Sequence, residues 1–509
     1  MADSSNGART SPLLSADGTR PSARDVELIP QARQSDDAGV DLNSIDDAAS
    51  VSSSSDLCRR NIRAMFVFQF LSAVAWGTAM GPVFDRYLYL LGTGWARGPR
   101  LYPVHGANSL VGVTESVSGI TSLIMAIPVG LVVDKNPQKR ARLLRASMFL
   151  GLMAAVSGVV AVLSDEIIIL TVMLVLFGAF SELSNSAAEA IFADSIPAGE
   201  RSSLFVTKAI LSTVGSACGP GLSALMLWLL GDEWQPYQVK TVIMGGLLLM
   251  VPTVVPLYLF GDPPQAADVE KPPAQPQEAG GDSEQPQNLG GQETSIQADA
   301  DNERVQEDRR FGPLRSHHVP ILLAFSDFLT CVGAGMTVKF FNLFFIQDQH
   351  FSPVAISLLQ TVYPVNIAIF MKFTERLAKP LGRAQASLLF FSCNVLCLFM
   401  LAEVTWLPIL LLVFLVRGAF ANSTYPIDRS ILMDFTPSSQ RGLWNSIESL
   451  TSMTWSGSAF IGGLLSDAHD YRFTFFITGL VYAIACCFYL PLLWLVPRKE
   501  QDAAHSGRS

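Results

Sequence analysis

Acidic side chains stand inside long apolar stretches of this 509-residue sequence. Asp327 lies well inside one stretch, and Glu182, Asn185 and Glu189 follow at spacings that place them on one face of a helix. A charged side chain at a bilayer centre costs about 2.5–3.5 kcal/mol on insertion scales, so each one needs a reason to be present. Carboxyl groups there can bind and release protons. Asp327, Glu182 and Glu189 are therefore candidates for proton coupling; the alternative is permanent pairing with a neighbouring cation.

Polar and aromatic residues accompany these acids. Arg417 can bind an anionic group or pair with Asp327. Side chains expected to line a cavity, because they offer hydrogen bonds or aromatic faces inside apolar stretches, are Gln69, Trp76, Asn185, Asn342, Gln360, Tyr363, Asn366, Arg417, Asn422, Tyr425 and Trp455. The set mixes amides, aromatic rings and an arginine, and acids lie near it, so the charge of a bound molecule stays open.

Twelve apolar stretches carry these residues. Half of the chain is hydrophobic and only 16% is charged, below the ~25% typical of soluble domains. A helix of about 20 apolar residues crosses the hydrocarbon core of a bilayer. The stretches are 64–91, 112–133, 143–163, 167–192, 203–230, 239–260, 317–345, 353–374, 384–402, 406–432, 443–465 and 473–496. The sequence predicts an all-α, polytopic membrane protein with twelve transmembrane helices.

The positions of Lys and Arg predict how the chain is oriented. Cytoplasmic loops collect these residues. The basic residues before the first stretch and after the second are Arg59, Arg60, Arg63, Lys135, Lys139, Arg140, Arg142 and Arg145, whereas 164–166 has none. We therefore expect both termini to be cytoplasmic, in a multi-pass protein of the plasma membrane or of an endomembrane such as the vacuole.

The chain matches itself at a shift of 240 residues. The segment 178–180 reads Gly-Ala-Phe, as does 418–420. Each half also carries D-x-x-P-x-x-x-R between its fourth and fifth stretches, in which the charged residues are Asp194, Arg201, Asp434 and Arg441. Three matches in one register indicate a duplicated unit. We predict two pseudo-symmetric six-helix bundles, 64–260 and 317–496.

Three polar segments lie outside the bundles. They are an N-terminal tail over 1–63, an acidic linker over 261–316 and a C-terminal tail over 497–509. The linker is rich in Pro, Gln, Gly and acids, a composition that cannot bury a core. We expect the tails and the linker to be cytoplasmic, and the first tail and the linker to be disordered.

Opposite charges occupy matching points of the two halves. Glu189 and Lys208 in the first half correspond to Arg429 and Glu448 in the second. We interpret each couple as a structural or gating pair between neighbouring helix ends. Further charges at Asp85, Arg86 and Lys339 lie toward the other membrane surface. They can form a gate across the halves or be solvated helix ends, and we favour the second interpretation.

The stretch after the second helix carries the most specific pattern. Residues 130–140 read GLVVDKNPQKR, which fits G-x-x-x-D-R/K-x-G-x-K/R-R/K at Gly130, Asp134, Lys135, Lys139 and Arg140, with Pro137 at the second Gly. With two six-helix halves and a long linker, the chain over about 60–498 resembles the major facilitator superfamily. The resemblance implies that Gly130 permits close helix approach and that Asp134 faces the start of the eleventh helix. It also implies that the basic residues join a rim network with Asp194, Arg201, Asp434 and Arg441, which closes the cytoplasmic mouth.

A second partial match lies in the fifth helix. Gly215, Gly219 and Pro220 resemble the G-x-x-x-G-P of the antiporter signature, while Gly221-Leu-Ser replaces the usual following glycine pair. The same residues also suit a bend and close packing on a neighbouring helix. Both interpretations remain open.

Several chemistries are missing from the sequence. It has no G-x-x-x-x-G-K-S/T loop, so ATP is not expected to drive it, and it has no zinc signature or nucleophile–base pair that we can identify. Its net charge of −9 speaks against nucleic acid. We expect no enzyme activity and no cofactor.

The resemblance predicts a secondary active transporter that moves a small organic solute by alternating access. Proton coupling is favoured, with antiport ahead of a proton symporter or a facilitative uniporter. The expected partners are the solute, protons and the lipid bilayer, with the protein as a monomer. A receptor or scaffold that keeps this fold without transport is the alternative of another class.

Overall fold

The structure is a computed structural model of the chain that describes residues 42–94, 106–197, 201–263, 310–436 and 441–498. Within these ranges, side chains are not described at 42–54, 134, 201–203, 206, 433, 441–450 and 452–453. Ser52–Ser509 forms one compact unit. Of the other unit, Met1–Val51, only the helical backbone of 42–51 is described.

Helices form the six spans of the first half. The first span is Leu42–Ala79 followed by Pro82–Gly92, the second is Ala107–Lys135, and the third is Arg140–Ser164 after a 3₁₀ turn at Pro137–Lys139. The fourth is Ile167–Ser195, the fifth is Arg201–Leu230, and the sixth is Pro236–Thr253 with Val255–Leu259. The first span breaks at Gly81-Pro82, because the proline ring cannot continue the preceding helix but suits the first turn of the next.

The second half begins with a short hairpin, β1 (Arg310–Phe311) and β2 (Leu314–Arg315). Its seventh to tenth spans are Val319–Gln347, Pro353–Leu381, Arg383–Glu403, and Leu407–Ser423 with Tyr425–Asp434. The eleventh is Arg441–Ala468, and the twelfth is Tyr471–Tyr489 with Leu492–Leu495. This order repeats that of the first half.

The predicted twelve-helix architecture is confirmed, and the first and eleventh spans need comment. Eleven described helices are long and apolar enough to cross a membrane. The twelfth predicted span, 443–465, falls in Arg441–Ala468, part of whose side chains are not described. The first helix begins at Leu42, well before the predicted 64. Residues 1–41, 264–309 and 499–509 lie outside the described residues, so the disorder predicted for the first tail and the linker stays a prediction over 1–41 and 264–309.

Buried side chains show how the halves meet. We call the surface where the first span begins the terminal face, and the other surface the opposite face. The largest buried cluster joins both halves toward the opposite face, with Leu91 of the first span and Phe344 of the seventh. Two smaller clusters lie toward the terminal face, one around Phe192 in the first half and one around Tyr489 in the second. Among the described residues, the halves therefore share a core only toward the opposite face.

Candidate functional site

A cavity of about 300 Å³ lies between the two halves. Its walls come from the first, fifth, seventh, eighth, tenth and eleventh spans, and the polar and aromatic lining residues are Trp76, Asp85, Ser216, Lys339, Phe341, Asn342, Gln360, Tyr363, Phe414 and Trp455. Trp76 stacks on Phe177 at 4.5 Å between ring centroids, and Tyr363 stacks on Phe414 at 5.3 Å. We call this space the central cavity. It offers aromatic faces and two amides to a ligand.

A chain of polar contacts crosses from one half to the other beside the central cavity. The Gln360 amide donates to Asn342 Oδ1 at 2.5 Å, and the Asn342 amide donates to Asp85 Oδ2 at 2.8 Å. Lys339 Nζ lies 3.6 Å from Asp85 Oδ1 and 3.3 Å from Glu115 Oε2. Asp85 is only 2% exposed. The expectation of solvated helix ends is therefore wrong for Asp85, because Lys339 and Asn342, rather than water, contact its carboxylate.

Two further carboxylates join the halves at the opposite face, each at the start of a helix. Asp467 accepts hydrogen bonds from the backbone N–H groups of Asn108 and Ser109, at 3.0 and 2.7 Å. Asp232 accepts one from the Val354 N–H, at 2.8 Å. The second span begins after Gly106, which has no side chain to cap its free N–H groups, and Asp467 of the other half fills that role.

Asp232 and Asp467 were not predicted from the sequence. Asp232 lies in the connection after the fifth span and Asp467 in the last turn of the eleventh, where an acid is easily interpreted as a solvated residue. The 240-residue repeat does not align them, because position 232 falls on Arg472, so no repeat signal pointed to this pair.

A second cavity, of about 150 Å³, lies within the second half. Asp327, Tyr425, Asp428 and Arg429 line it. Asp428 accepts a hydrogen bond from the Tyr489 hydroxyl at 2.5 Å, and Arg429 donates one to the Tyr425 hydroxyl at 3.1 Å. The structure thus places three predicted residues, Asp327, Tyr425 and Arg429, together in the second half and outside the lining of the central cavity.

Ion pairs at the terminal face lie within each half. Arg140 Nη1 is 2.5 Å from Asp194, and Arg383 Nη1 is 2.6 Å from Asp434. Lys208 pairs with Glu189 between the fifth and fourth spans, as the spacing predicted. The side chains of Asp134, Arg201, Arg441 and Glu448 lie outside the described residues. Lys135 and Lys139 lie at the end of the second span and in the turn that follows.

Several cavity candidates instead bond to other helix residues, Gln69 and Asn366 between two helices and Asn422 within one. Gln69 donates to Ser212 Oγ at 3.1 Å, Asn366 to the Leu415 carbonyl at 2.7 Å, and Asn422 to the Gly418 carbonyl at 2.8 Å. These residues do not line the central cavity described above.

The remaining candidates lie either in the core, as Arg417 does, or nearer the surface, as Asn185 and Glu182 do. Arg417 is 2% exposed and stacks on Phe341 at 4.9 Å, so it stands behind the cavity wall. Asn185 is exposed and donates to Ser181 at 3.1 Å. Glu182 is half-buried and accepts a long contact from Ser186 at 3.5 Å.

The glycines of the two motifs differ in their surroundings. A Cβ on Gly219 would stand 2.7 Å from Gly77 Cα, and one on Gly215 would stand 2.8 Å from the Phe70 carbonyl. Span five therefore packs backbone to backbone on span one. Among the described residues, nothing lies within 4 Å of a Cβ on Gly130, so the described contacts show no close helix approach there.

Both halves of the chain match one known protein family. The model of the Major Facilitator Superfamily matches residues 65–286 and 323–509, which is most of both halves. The chain belongs to the Major Facilitator Superfamily, and its fold is that of a transporter. No curated protein matches the sequence.

Solved structures share the fold at low identity. A crystal structure of a mutant of the nucleoside transporter NupG has a TM-score of 0.59 at 13% identity, covering 85% of this chain and 99% of that chain. The inward-open xylose transporter XylE from E. coli has a TM-score of 0.57 at 13% identity, covering 86% and 96%. The human organic anion transporter MFSD10 has a TM-score of 0.51 at 16% identity, covering 85% and 99%.

Proposed function

We propose that the protein is a secondary active transporter that carries a small amphipathic organic solute across the membrane by alternating access. The central cavity carries this proposal. It lies between the halves, where rocking of one half against the other exposes a site to each side in turn. Its aromatic rings suit an apolar body, and the amides of Asn342 and Gln360 suit a polar group.

The contacts between the halves support one arrangement of this cycle. The Asp85–Lys339–Glu115 group and the carboxylates of Asp232 and Asp467 hold the opposite face together. The ion pairs described at the terminal face lie within single halves. Since the basic loops predict that the terminal face is cytoplasmic, we assign the structure to a cytoplasm-facing arrangement.

Proton coupling is part of the proposal, with antiport as the favoured mode. Asp327 is exposed and lines the cavity of the second half, and Glu182 is half-buried in the fourth span. A carboxyl group in contact with water can exchange protons as the halves move. The antiporter-like glycines favour exchange over symport, although their packing on the first span explains them equally well.

Flux measurements in proteoliposomes test the proposal. We expect uptake of at least one member of a panel of amphipathic solutes, and faster uptake with a pH gradient. The Trp76→Ala variant should raise KM for that solute about fivefold, since an aromatic contact is worth roughly 1 kcal/mol. Trp228→Ala is the matched control, because Trp228 is 67% exposed on the fifth span and outside the cavity. Absence of flux for the whole panel would favour a receptor or scaffold.

The coupling residues are tested separately. Asp327→Asn and Glu182→Gln should each abolish or strongly reduce proton-driven accumulation if that acid carries the proton, while solute exchange without a gradient continues. Glu375→Gln serves as control, because its carboxylate is exposed beside Lys379 at the terminal face. Normal accumulation in both variants would remove these two acids from the mechanism and would require another group to carry the proton.

A further inference from the structure

A groove separate from both cavities lies at the terminal face, between the start of the first span and the end of the sixth. It encloses about 480 Å³ and is lined by Asp56, Arg59, Arg60, Arg63, Ala64, Val67 and Leu259. We call it the arginine groove. None of its residues has a part in the transport proposal above.

The charge of the arginine groove is not balanced by the part of the protein that the structure describes. Three guanidinium groups face one carboxylate, that of Asp56. Among the described residues, Arg59, Arg60 and Arg63 have no hydrogen bond or ion pair to a protein group. All three side chains are exposed. The groove therefore presents two uncompensated positive charges and many free N–H donors.

The floor of the groove is apolar and faces away from the central cavity. Arg60, Arg63 and Val67 follow at spacings of three and four residues, so they share one helix face. Val67 and Trp76 are nine residues apart, two and a half helical turns, which places them on opposite sides of the first span. Val67 is 49% exposed and Leu259 45% exposed, so an apolar surface continues from the arginines into the span.

We propose that the arginine groove is a binding site for an anionic phospholipid of the leaflet at the terminal face. The guanidinium groups would hold the phosphate and the acidic headgroup through paired N–H donors. An acyl chain would lie along Val67 and Leu259. Basic residues at the cytoplasmic edge of a span suit acidic lipid headgroups, and here they adjoin a surface that fits the lipid tail.

The acidic linker is the competing occupant, since it leaves the sixth span close to the groove. The described chain runs past Gly261 to 263, and Gly261 accepts a hydrogen bond from Asn61 in the first span at 2.9 Å. The linker supplies carboxylates but no apolar chain for Val67 and Leu259. Charge and apolar surface together favour the lipid.

Native mass spectrometry of the full-length protein tests this site. The protein is released from vesicles of phosphatidylcholine mixed with phosphatidylserine, and retained lipid is counted. Wild type should retain phosphatidylserine in preference to phosphatidylcholine. Arg60→Gln and Arg63→Gln should each lower phosphatidylserine affinity about fivefold, as expected for one basic residue at an anionic surface. Single substitutions leave two arginines, so the orientation of the first span is preserved.

The matched control is Arg142→Gln, which removes an exposed arginine at the same face but outside the groove. It should retain phosphatidylserine as wild type does. Equal retention by wild type and both groove variants, or an equal loss in Arg142→Gln, overturns the proposal. So does a protein that prefers phosphatidylserine only after the linker acids are neutralised, because the linker would then be the occupant.

Discussion

Asp232 and Asp467 lie at the ends of the corresponding fifth and eleventh spans, and each caps the first turn of a helix in the other half. Asp232 follows the fifth span and accepts from the Val354 N–H of the eighth. Asp467 ends the eleventh span and accepts from the N–H groups of Asn108 and Ser109 in the second. A carboxylate at a helix N-terminus is stabilised by free N–H groups and by the helix dipole. The same kind of helix cap therefore joins the two halves at two places on the opposite face.

Asp467→Asn should therefore shift the protein toward opening at the opposite face. Asparagine keeps one acceptor oxygen, so loss of the charge at this helix start costs about 0.3–1 kcal/mol, which is up to a ~5-fold change in the closed-to-open ratio. Spin labels on the second and eleventh spans, near the opposite face, measure the change as a longer distance distribution. Asp470→Asn is the control, because Asp470 caps Phe473 within its own half. An equal shift in both variants would show that the caps stabilise helices without acting as a latch.

The Asp85 carboxylate should contribute more strongly to the same closure. Asp85→Asn leaves Lys339 with Glu115 alone, and breaking a buried pair costs several kcal/mol when no second partner remains. With Glu115 still present, we expect a shift of about 2 kcal/mol toward the open form. Labelling of a cysteine in the central cavity from the opposite face measures it. Asp165→Asn breaks a pair with Lys240 inside the first half and should leave labelling unchanged.

Glycine substitutions separate close packing from open space. Gly219→Ala should lower stability by about 1–3 kcal/mol, because the new methyl group would stand 2.7 Å from Gly77 Cα and both backbones would have to move. Gly130→Ala should raise stability by up to about 1 kcal/mol, since alanine favours a helix and meets nothing within 4 Å. Thermal unfolding in detergent compares the two. Equal effects would contradict the helix approach at Gly219.

The terminal-face pairs should behave alike in the two halves. A double-mutant cycle of Arg140→Gln with Asp194→Asn should give a coupling energy up to about 1 kcal/mol, reduced by exposure of the carboxylate. The cycle of Arg383→Gln with Asp434→Asn should give a similar value, because its geometry is equivalent. Unfolding in denaturant measures both. A coupling that appears only in transport assays would indicate a cross-half role that the described contacts do not show.

Asp348, in the loop after the seventh span, should lower the stability of the folded protein in a pH-dependent way. The Asp348 side chain is exposed, and partial desolvation raises the pKa of its carboxyl; Asp470 nearby adds to the effect, while Arg472 and His350 oppose it. A raised folded pKa means that folding favours the protonated form, so stability is lost as pH rises through the window above the usual pKa of aspartate. Asp348→Asn should therefore be more stable than wild type at neutral pH. The difference should vanish below the usual aspartate pKa, as thermal unfolding across pH can show.

Much of the architecture was visible in the sequence because its signals are local. Runs of apolar residues predict spans, and a repeat at 240 residues predicts two halves. Neither signal depends on how the halves pack against each other. The Glu189–Lys208 pair was predictable for the same reason, since two charges near the ends of consecutive helices have few other partners.

The contacts between halves were decided only by the tertiary structure. Asp85 and Lys339 are 254 positions apart, and an apolar run around a charge is compatible with either a solvated end or a buried pair. Which one forms depends on how the bundles are tilted against each other, because that tilt sets whether water or another side chain surrounds the carboxylate. Gly130 shows the converse: its motif implied a close contact, and no atom of the described residues lies within 4 Å of a Cβ there.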